Sequence, residues 1–494
     1  MPKDSQGSSS SVSRRRFIQA AGAVGVTAGL AGCGGGDSTT ESGGETTSSD
    51  GQTGGGATTG EPSGDEISGK VSVFAGKVWN QNEEKFTKVL HEQGVPDSVD
   101  IQLNSAAQQT GSKQQRLRTQ INAESTDPDL VLTDNGWTIP FIARGDLVNL
   151  TETMSDDFIS QVREEGVQSM VQTGEHPETG DLYSIPVFPD FPTVQYRKDL
   201  FKEVGYTESD FQQWQSNPIG WDKFSNIVAE AKQAGDVEYG HVWQGKNYGG
   251  LSCCTFNEFL TSMGGYFFGG EDNLFGPIGA RPVTIGDEKA IDGIELARDL
   301  IYGEGESPMD VKGVSPKEVA GWIEPDTKSI FEAQNAVTQR NWTYAIGGAA
   351  NKFEGTDAEL GVMPLPKGPN GSWHAQGGWI LSMNPYSDNK AAAKEVIKAW
   401  WSDAMHKKQL DVANYMPPKP SLYDYVKEHP TYGPYFKPLN YAAENLMPRP
   451  TTSVWPTEST IIAKQVNAAL TKSKSAAKAA QQMETKIKAI ENQA

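Results

Sequence analysis

Apolar and polar residues alternate around Val71, Val73 and Ala75, the period of a strand. Over residues 83–90 the period lengthens, and Phe86, Val89 and Leu90 share one face of a helix. Val99, Ile101 and Leu103 alternate again. Residues 113–123 read as a second helix, and Leu130, Val131 and Leu132 as a short apolar strand after Pro128. Strand, helix, strand, helix, strand at this pitch predicts a βαβαβ unit with a parallel sheet, hence an α/β fold. Ligands of such sheets collect at the carboxyl ends of the strands. Those ends are residues 76–81, 104–108 and 134–137.

Farther along, Ile291, Ile294, Ala297, Leu300 and Ile301 share a helix face, as do Ala393, Val396, Ile397, Trp400 and Trp401. The tail carries Ile461, Val466, Leu470, Met483, Ile487 and Ile490 at helical spacing, with a break near residues 473–475. Its lysines read as a solvated helix face.

Composition narrows the function. Acidic residues outnumber basic ones 63 to 43 in 494 residues, a net charge of −20. A nucleic-acid partner needs a basic patch that this balance does not offer. Three cysteines exclude a disulfide scaffold and a cysteine zinc site. The six histidines, at 91, 176, 241, 374, 406 and 429, are scattered with no metal-ligand spacing. Gly64, Gly69 and Lys70 match a phosphate-loop spacing, but Val71 stands where Ser or Thr must hold magnesium.

The start of the chain has an address of its own. Arg14, Arg15, Arg16, Phe17 and Ile18, followed by a mild apolar stretch, resemble a twin-arginine export signal. Leu30-Ala31-Gly32-Cys33 resembles the lipobox of exported lipoproteins, which implies that Cys33 is lipidated and becomes the first mature residue. Residues 1–32 are therefore expected to be a signal peptide and 33–66 a disordered tether. Of the 31 residues 34–64, 23 are Gly, Ser or Thr, too few apolar groups to offset ordering entropy.

Several stretches of the body, in order, carry a family resemblance. They are Pro128-Asp129-Leu130-Val131 with Asp134 and Trp137, Tyr196-Arg197-Lys198-Asp199-Leu200-Phe201, and Trp243-Gln244-Gly245 with Tyr248. Residues 331–344 ending in Asn341-Trp342, residues 361–369, Gly377-Gly378-Trp379 and Pro448-Arg449-Pro450 follow. Together they resemble the extracellular solute-binding proteins (family 1) of ABC sugar importers, closest to the trehalose/maltose-binding branch. The resemblance implies a periplasmic-binding-protein-like fold, two α/β lobes joined by a three-segment hinge with the ligand cleft between them. Carried onto this chain, the N-lobe is 67–187 plus 373–415 and the C-lobe 193–370 plus 420–494. The crossings fall near residues 187–195, 370–380 and 415–422, the first and third rich in proline.

A sugar site needs flat apolar surface for pyranose C–H faces and polar groups for the hydroxyl rim. The 12 Trp and 15 Tyr supply such surface, and core packing is the ordinary use of any one of them. The resemblance implies ligand contacts from Asp134, Phe188, Asp190, Tyr248, Trp342, Gly378, Trp379 and Arg449. Asp134 could instead cap the helix around Ile139, and Arg449 could instead form a surface ion pair. Gly377 and Gly378 would let backbone approach the ligand. Trp79, Asn80 and Gln81 are expected in the loop after the first strand, where the family often has an acidic ligand. Tyr196-Arg197-Lys198-Asp199 reads as the structural start of a helix, and Cys253-Cys254 as buried small hydrophobes. Asn149, Asn341 and Asn370 head glycan sequons, with Asn341 closed to a glycan by its place beside the ligand.

The resemblance implies a protein that is not an enzyme and needs no nucleotide, metal or other cofactor. The expected protein is a lipid-anchored monomer on the extracellular face of the membrane, binding one neutral di- or oligosaccharide and delivering it to permease subunits whose ATPase is a separate chain. The alternatives are a binder of a non-sugar solute (a glycerophosphodiester or a polyamine), a surface adhesin and, most remotely, a glycoside hydrolase. A phosphate would want clustered Arg or helix starts, a polyamine more acids, and a hydrolase two carboxylates at a set separation.

Overall fold

The computed structural model describes residues 67–105, 110–450 and 452–493. The expected signal peptide, tether and Cys33 lie outside the described residues, as do most of the residues expected to end the second strand.

Among the described residues, eleven strands run in chain order. They are β1 (Gly69–Phe74), β2 (Val99–Asn104), β3 (Leu130–Asp134), β4 (Ser184–Asp190), β5 (Pro192–Arg197), β6 (Tyr239–Val242), β7 (Ala336–Trp342), β8 (Leu360–Met363), β9 (His374–Ala375), β10 (Gly377–Met383) and β11 (Leu446–Met447). The first sheet has the order β2-β1-β3-β10-β4 and the second β6-β7-β5-β8. β1 pairs in parallel with both β2 and β3, so the βαβαβ expectation holds, and β10 lies antiparallel between β3 and β4. Every residue of β3 and β4 is buried, as helix-covered strands require.

The helices follow the apolar spacing. Glu83–Glu92 buries Phe86, Val89 and Leu90. Lys390–Trp400 buries Ala393, Val396, Ile397 and Trp400. Both cover the first sheet in one core with Val71, Val73, Leu130 and Leu132. The second core joins Val194, Tyr196, Trp243 and Phe259 to the C-terminal helices Trp455–Leu470 and Ala476–Glu491. The break between those two helices falls where expected. Lys472 takes a left-handed conformation there, and the Ser475 side chain caps the second helix by accepting from the Lys478 amide. No described helix is long and apolar enough to cross a membrane.

Three passages connect the sheets. Phe191 alone separates β4 of the first from β5 of the second. Gln376 alone separates β9 from β10. The third passage follows helix Asp403–Ala413, where Asn414 turns the chain with φ 63° and Met416 then packs with Phe191 and Val362. Trp373, His374 and Ala375 belong with the second lobe, not with the first as the 373 boundary implied. β9 pairs with β11, and His374 Nδ1 lies 2.7 Å from the Pro192 carbonyl oxygen.

The residues after β1 also differ from expectation. Trp79, Asn80 and Gln81 are not in a loop but in a short helix, Lys77–Gln81. The turn is closed by the Asn80 amide donating to the Gly76 carbonyl at 3.0 Å. It swings Trp79 into the core against Phe86 and Trp400, at ring separations of 4.5 and 5.1 Å. The Asn80 side chain is tied to the Leu103 carbonyl at 2.9 Å.

Candidate functional site in the interlobe cleft

The carboxyl ends of β3 and β4 and the start of β10 form the first-lobe wall. Asp134 ends β3 and stands in register with Trp379 of β10. Its Oδ1 accepts from the Gly136 amide at 2.8 Å, a tight turn that holds the carboxylate rigid. The short helix Thr138–Ile142 begins after Trp137, so Asp134 is not its cap. The carboxylate faces the other lobe instead, where Arg449 Nη1 donates to it at 2.9 Å.

Arg449 follows β11 between two prolines and is 7% exposed. Its Nη2 donates to Asn135 Oδ1 at 2.8 Å and its Nε to the Gln376 carbonyl at 3.3 Å. Nη1 also lies 3.4 Å from Cys253 Sγ. Arg449 thus links the lobes from within and is not part of a surface ion pair. Gly136 is a requirement of this approach, because a Cβ there would stand 2.5 Å from Arg449 Nη1. Cys253 and Cys254 are both buried and free.

The second-lobe wall is built on the end of β7. Asn341 is wholly buried, and Trp342 is 8% exposed. The Arg340 guanidinium lies 4.6 Å from the Trp342 ring centroid. It is held there by Glu258 and by Gln244 Oε1 at 2.9 Å. Trp342 Nε1 points to Glu324 Oε1 at 3.4 Å, and the Tyr248 hydroxyl donates to the same oxygen at 2.7 Å. Burial and then the Glu324 charge hold the Tyr248 phenol well above its ordinary range.

The glycine pair works differently from expectation. A Cβ on Gly377 would meet the Trp342 ring at 2.9 Å. One on Gly378, whose φ is +139°, would meet the Phe188 carbonyl at 2.6 Å and Met170 at 2.5 Å. The absent side chains make room for protein, seating Trp342 of one lobe against the backbone of the other. Phe188 is 3% exposed, its ring stacked on Tyr415 at 3.9 Å and 4°. Trp379 is half-buried, with Trp137 edge-on at 6.3 Å.

Sequence reasoning missed Glu324, Tyr344 and Tyr415 as site groups. Glu324 is the first residue of helix Glu324–Glu332, a position with no motif to mark it. Tyr344 and Tyr415 lie 6.4 Å apart, ring to ring, beside Asp190 and near the crossings. Together the two walls offer aromatic surface from Trp342, Tyr344, Tyr415 and Trp379, with carboxylates at Asp190 and Glu324. Among the described residues, no three His, Cys, Asp or Glu side chains are grouped to hold a metal.

Asp190 ends β4 and accepts from both the amide and the hydroxyl of Thr343, just past β7. Burial pushes its carboxyl up to about 7, against the Thr343 bonds and the Arg340 charge. The ordinary value is 3.8, so the folded chain favours the protonated form. This group's contribution to stability is therefore fully present at acid pH and is lost as pH rises through about 7. Asp190→Asn is expected to melt higher than the unaltered protein at about pH 8 and to lose that advantage near pH 4. Melting curves across that interval check the sign, and a constant difference at all pH values would contradict it.

The sequence matches the bacterial extracellular solute-binding protein family over residues 81–407. A protein of Deinococcus radiodurans described as a probable ABC transporter-binding protein is 27% identical over 344 residues, 67% of this chain and 73% of that one. The fold superposes on maltose-bound MalE3 of T. maritima with a TM-score of 0.71 and 27% identity, covering 85% of this chain and 99% of that one. It also matches UgpB from Mycobacterium tuberculosis in complex with glycerophosphocholine, with a TM-score of 0.65, 18% identity and coverage of 86% and 98%. The chain belongs to the bacterial extracellular solute-binding protein family, a two-lobed protein whose cleft is lined from both lobes.

Proposed function

We propose that this chain is the substrate-binding component of an ABC importer and that its ligand is a neutral di- or oligosaccharide of the trehalose/maltose class. The observation that carries the sugar is the composition of the cleft. Trp342, Tyr344, Tyr415 and Trp379 supply flat apolar surface, and Asp190 and Glu324 supply hydroxyl acceptors beside it. The two cleft arginines are each already bonded to a carboxylate, Arg449 to Asp134 and Arg340 to Glu258. That leaves neither of these two guanidiniums for a phosphate. MalE3, 27% identical, was solved with maltose. Asp134 and Arg449 then shape the site, while Trp342, Trp379, Asp190 and Tyr248 border the sugar. The role is binding and delivery to permease subunits, with no bond made or broken on this chain.

A thermal-shift screen of trehalose, maltose, maltodextrins, glucose, sucrose and glycerophosphocholine tests this. At 100 times its dissociation constant, a ligand of the native state adds about 2.7 kcal/mol of stability. A shift with a glucose disaccharide or maltodextrin is expected. A shift with glycerophosphocholine and none with any sugar would transfer the assignment to phosphodiesters. Trp342→Ala is expected to weaken the sugar at least about tenfold. Its melting curve in the absence of sugar separates lost contact from lost folding, and unchanged affinity would remove Trp342 from the site.

We further propose that the protein is exported by the twin-arginine route and held to the membrane by lipid on Cys33, with residues 34–64 as tether. Cys33→Ala should release the protein into the medium or leave it unprocessed. Unaltered mass and membrane retention in that variant would overturn the anchor.

A further inference from the structure

Lys113 is a buried cation that the site described so far leaves without a task. It sits in the first turn of helix Thr110–Asn122 and is 4% exposed. Its Nζ donates to the carbonyl of Ala75, the residue just after β1. The ammonium lies 4.1 Å from the Trp379 ring centroid and 5.5 Å from that of Phe74. These are the carboxyl ends of the first sheet, where Asp134 and Trp379 already stand.

The charges that face Lys113 are few. Asp134 approaches from β3, but its carboxylate is engaged by Arg449. Arg116, one turn along the same helix, rests its guanidinium 4.9 Å from the Phe74 ring centroid. Among the described residues Lys113 is in no ion pair, and its hydrogen bond goes to the Ala75 carbonyl. An ammonium has three donors, of which the Ala75 carbonyl takes one. Buried donors without acceptors are costly, so an acceptor brought in by a ligand gains more here than at an exposed lysine.

We propose that Lys113 is a specificity-determining ligand contact, its ammonium, held over the Trp379 ring, donating to a hydroxyl of the sugar. The proposal rests on the sugar assignment above and deepens it. Trp379 would accept any apolar face, whereas a fixed donor beside it demands oxygen at that ring position. The same geometry makes binding depend on pH. Burial lowers the Lys113 amine to about 7, opposed by Asp134. An accepting hydroxyl favours the charged form and raises the value on binding. Affinity is therefore highest below about pH 7 and falls as pH rises through and beyond it, by up to about tenfold per unit.

The test is calorimetric titration of the sugar identified by the thermal-shift screen, from about pH 6 to about pH 9. The unaltered protein, Lys113→Met and Lys113→Arg are compared. Lys113→Met is expected to bind about 10- to 100-fold more weakly at pH 6 and to lose the alkaline decline, with partial recovery in Lys113→Arg. Sugar binding that is intact in Lys113→Met overturns this inference and leaves the sugar assignment standing. So does a pH profile that Lys113→Arg leaves unchanged, which decides the matter even where the Met variant does not fold, because Asp190 titrates near the same pH in every variant. An unaltered protein that binds no sugar overturns both.

Discussion

A guanidinium buried between two bodies must find its acceptors on both. Arg449 comes from the second lobe, and its partners Asp134 and Asn135 stand at the edge of the first, with the Gln376 carbonyl in a passage between them. Prolines on either side fix its backbone, and Gly136 clears the space it enters. Withdrawing the lobes would return both charges to water. The attraction of such a pair is largely offset by the desolvation it requires. The pair therefore fixes how the lobes meet without holding them shut. What tips the balance is a ligand that contacts both walls only when they are together, shifting the equilibrium by its differential affinity.

The connections suit that role. Phe191 alone separates a strand of the first sheet from one of the second, and Gln376 alone separates β10 from the β9–β11 pair, so little backbone is available to absorb motion there. The third passage holds Asn414 in a left-handed conformation, followed by Pro417, Pro418 and Pro420. A few element-terminal residues with fixed flanks make a hinge, with lobes that move as rigid bodies. Phe188 of the first lobe and Tyr415 of the third passage stack at 3.9 Å, tying two of the three passages together. Trp342 against Gly377 does the same at the second.

Local structure was legible wherever one residue's neighbours decide it. The alternation around Val71 and Val99, the face made by Val396 and Trp400, and the break before Ser475 all follow from spacing and capping. The family resemblance pointed to Asp134, Trp342 and Arg449, which the fold brings to the interlobe boundary. It could not say that Arg449 and Asp134 bond each other, because 315 residues separate them. Glu324 was invisible for a related reason: its carboxylate matters only through Trp342 and Tyr248, which meet it from other elements. The glycine pair was noticed for the wrong reason, since its missing side chains admit Trp342, Met170 and the Phe188 carbonyl. Trp79 was misplaced because a tertiary pocket beside Phe86 and Trp400 drew five residues into a helical turn. Lys113 looked like an ordinary helix lysine, and only its position over Trp379 sets it apart.

Closure of two rigid lobes on a ligand is the claim on which the rest depends. Small-angle scattering of the purified protein, with and without a saturating sugar, measures it most directly. The account predicts a smaller radius of gyration on saturation, as Arg449 and Asp134 come together and Trp342 seats against Gly377. An unchanged radius, with binding confirmed on the same sample, would contradict it and place the ligand on one lobe or in a cleft that is always shut.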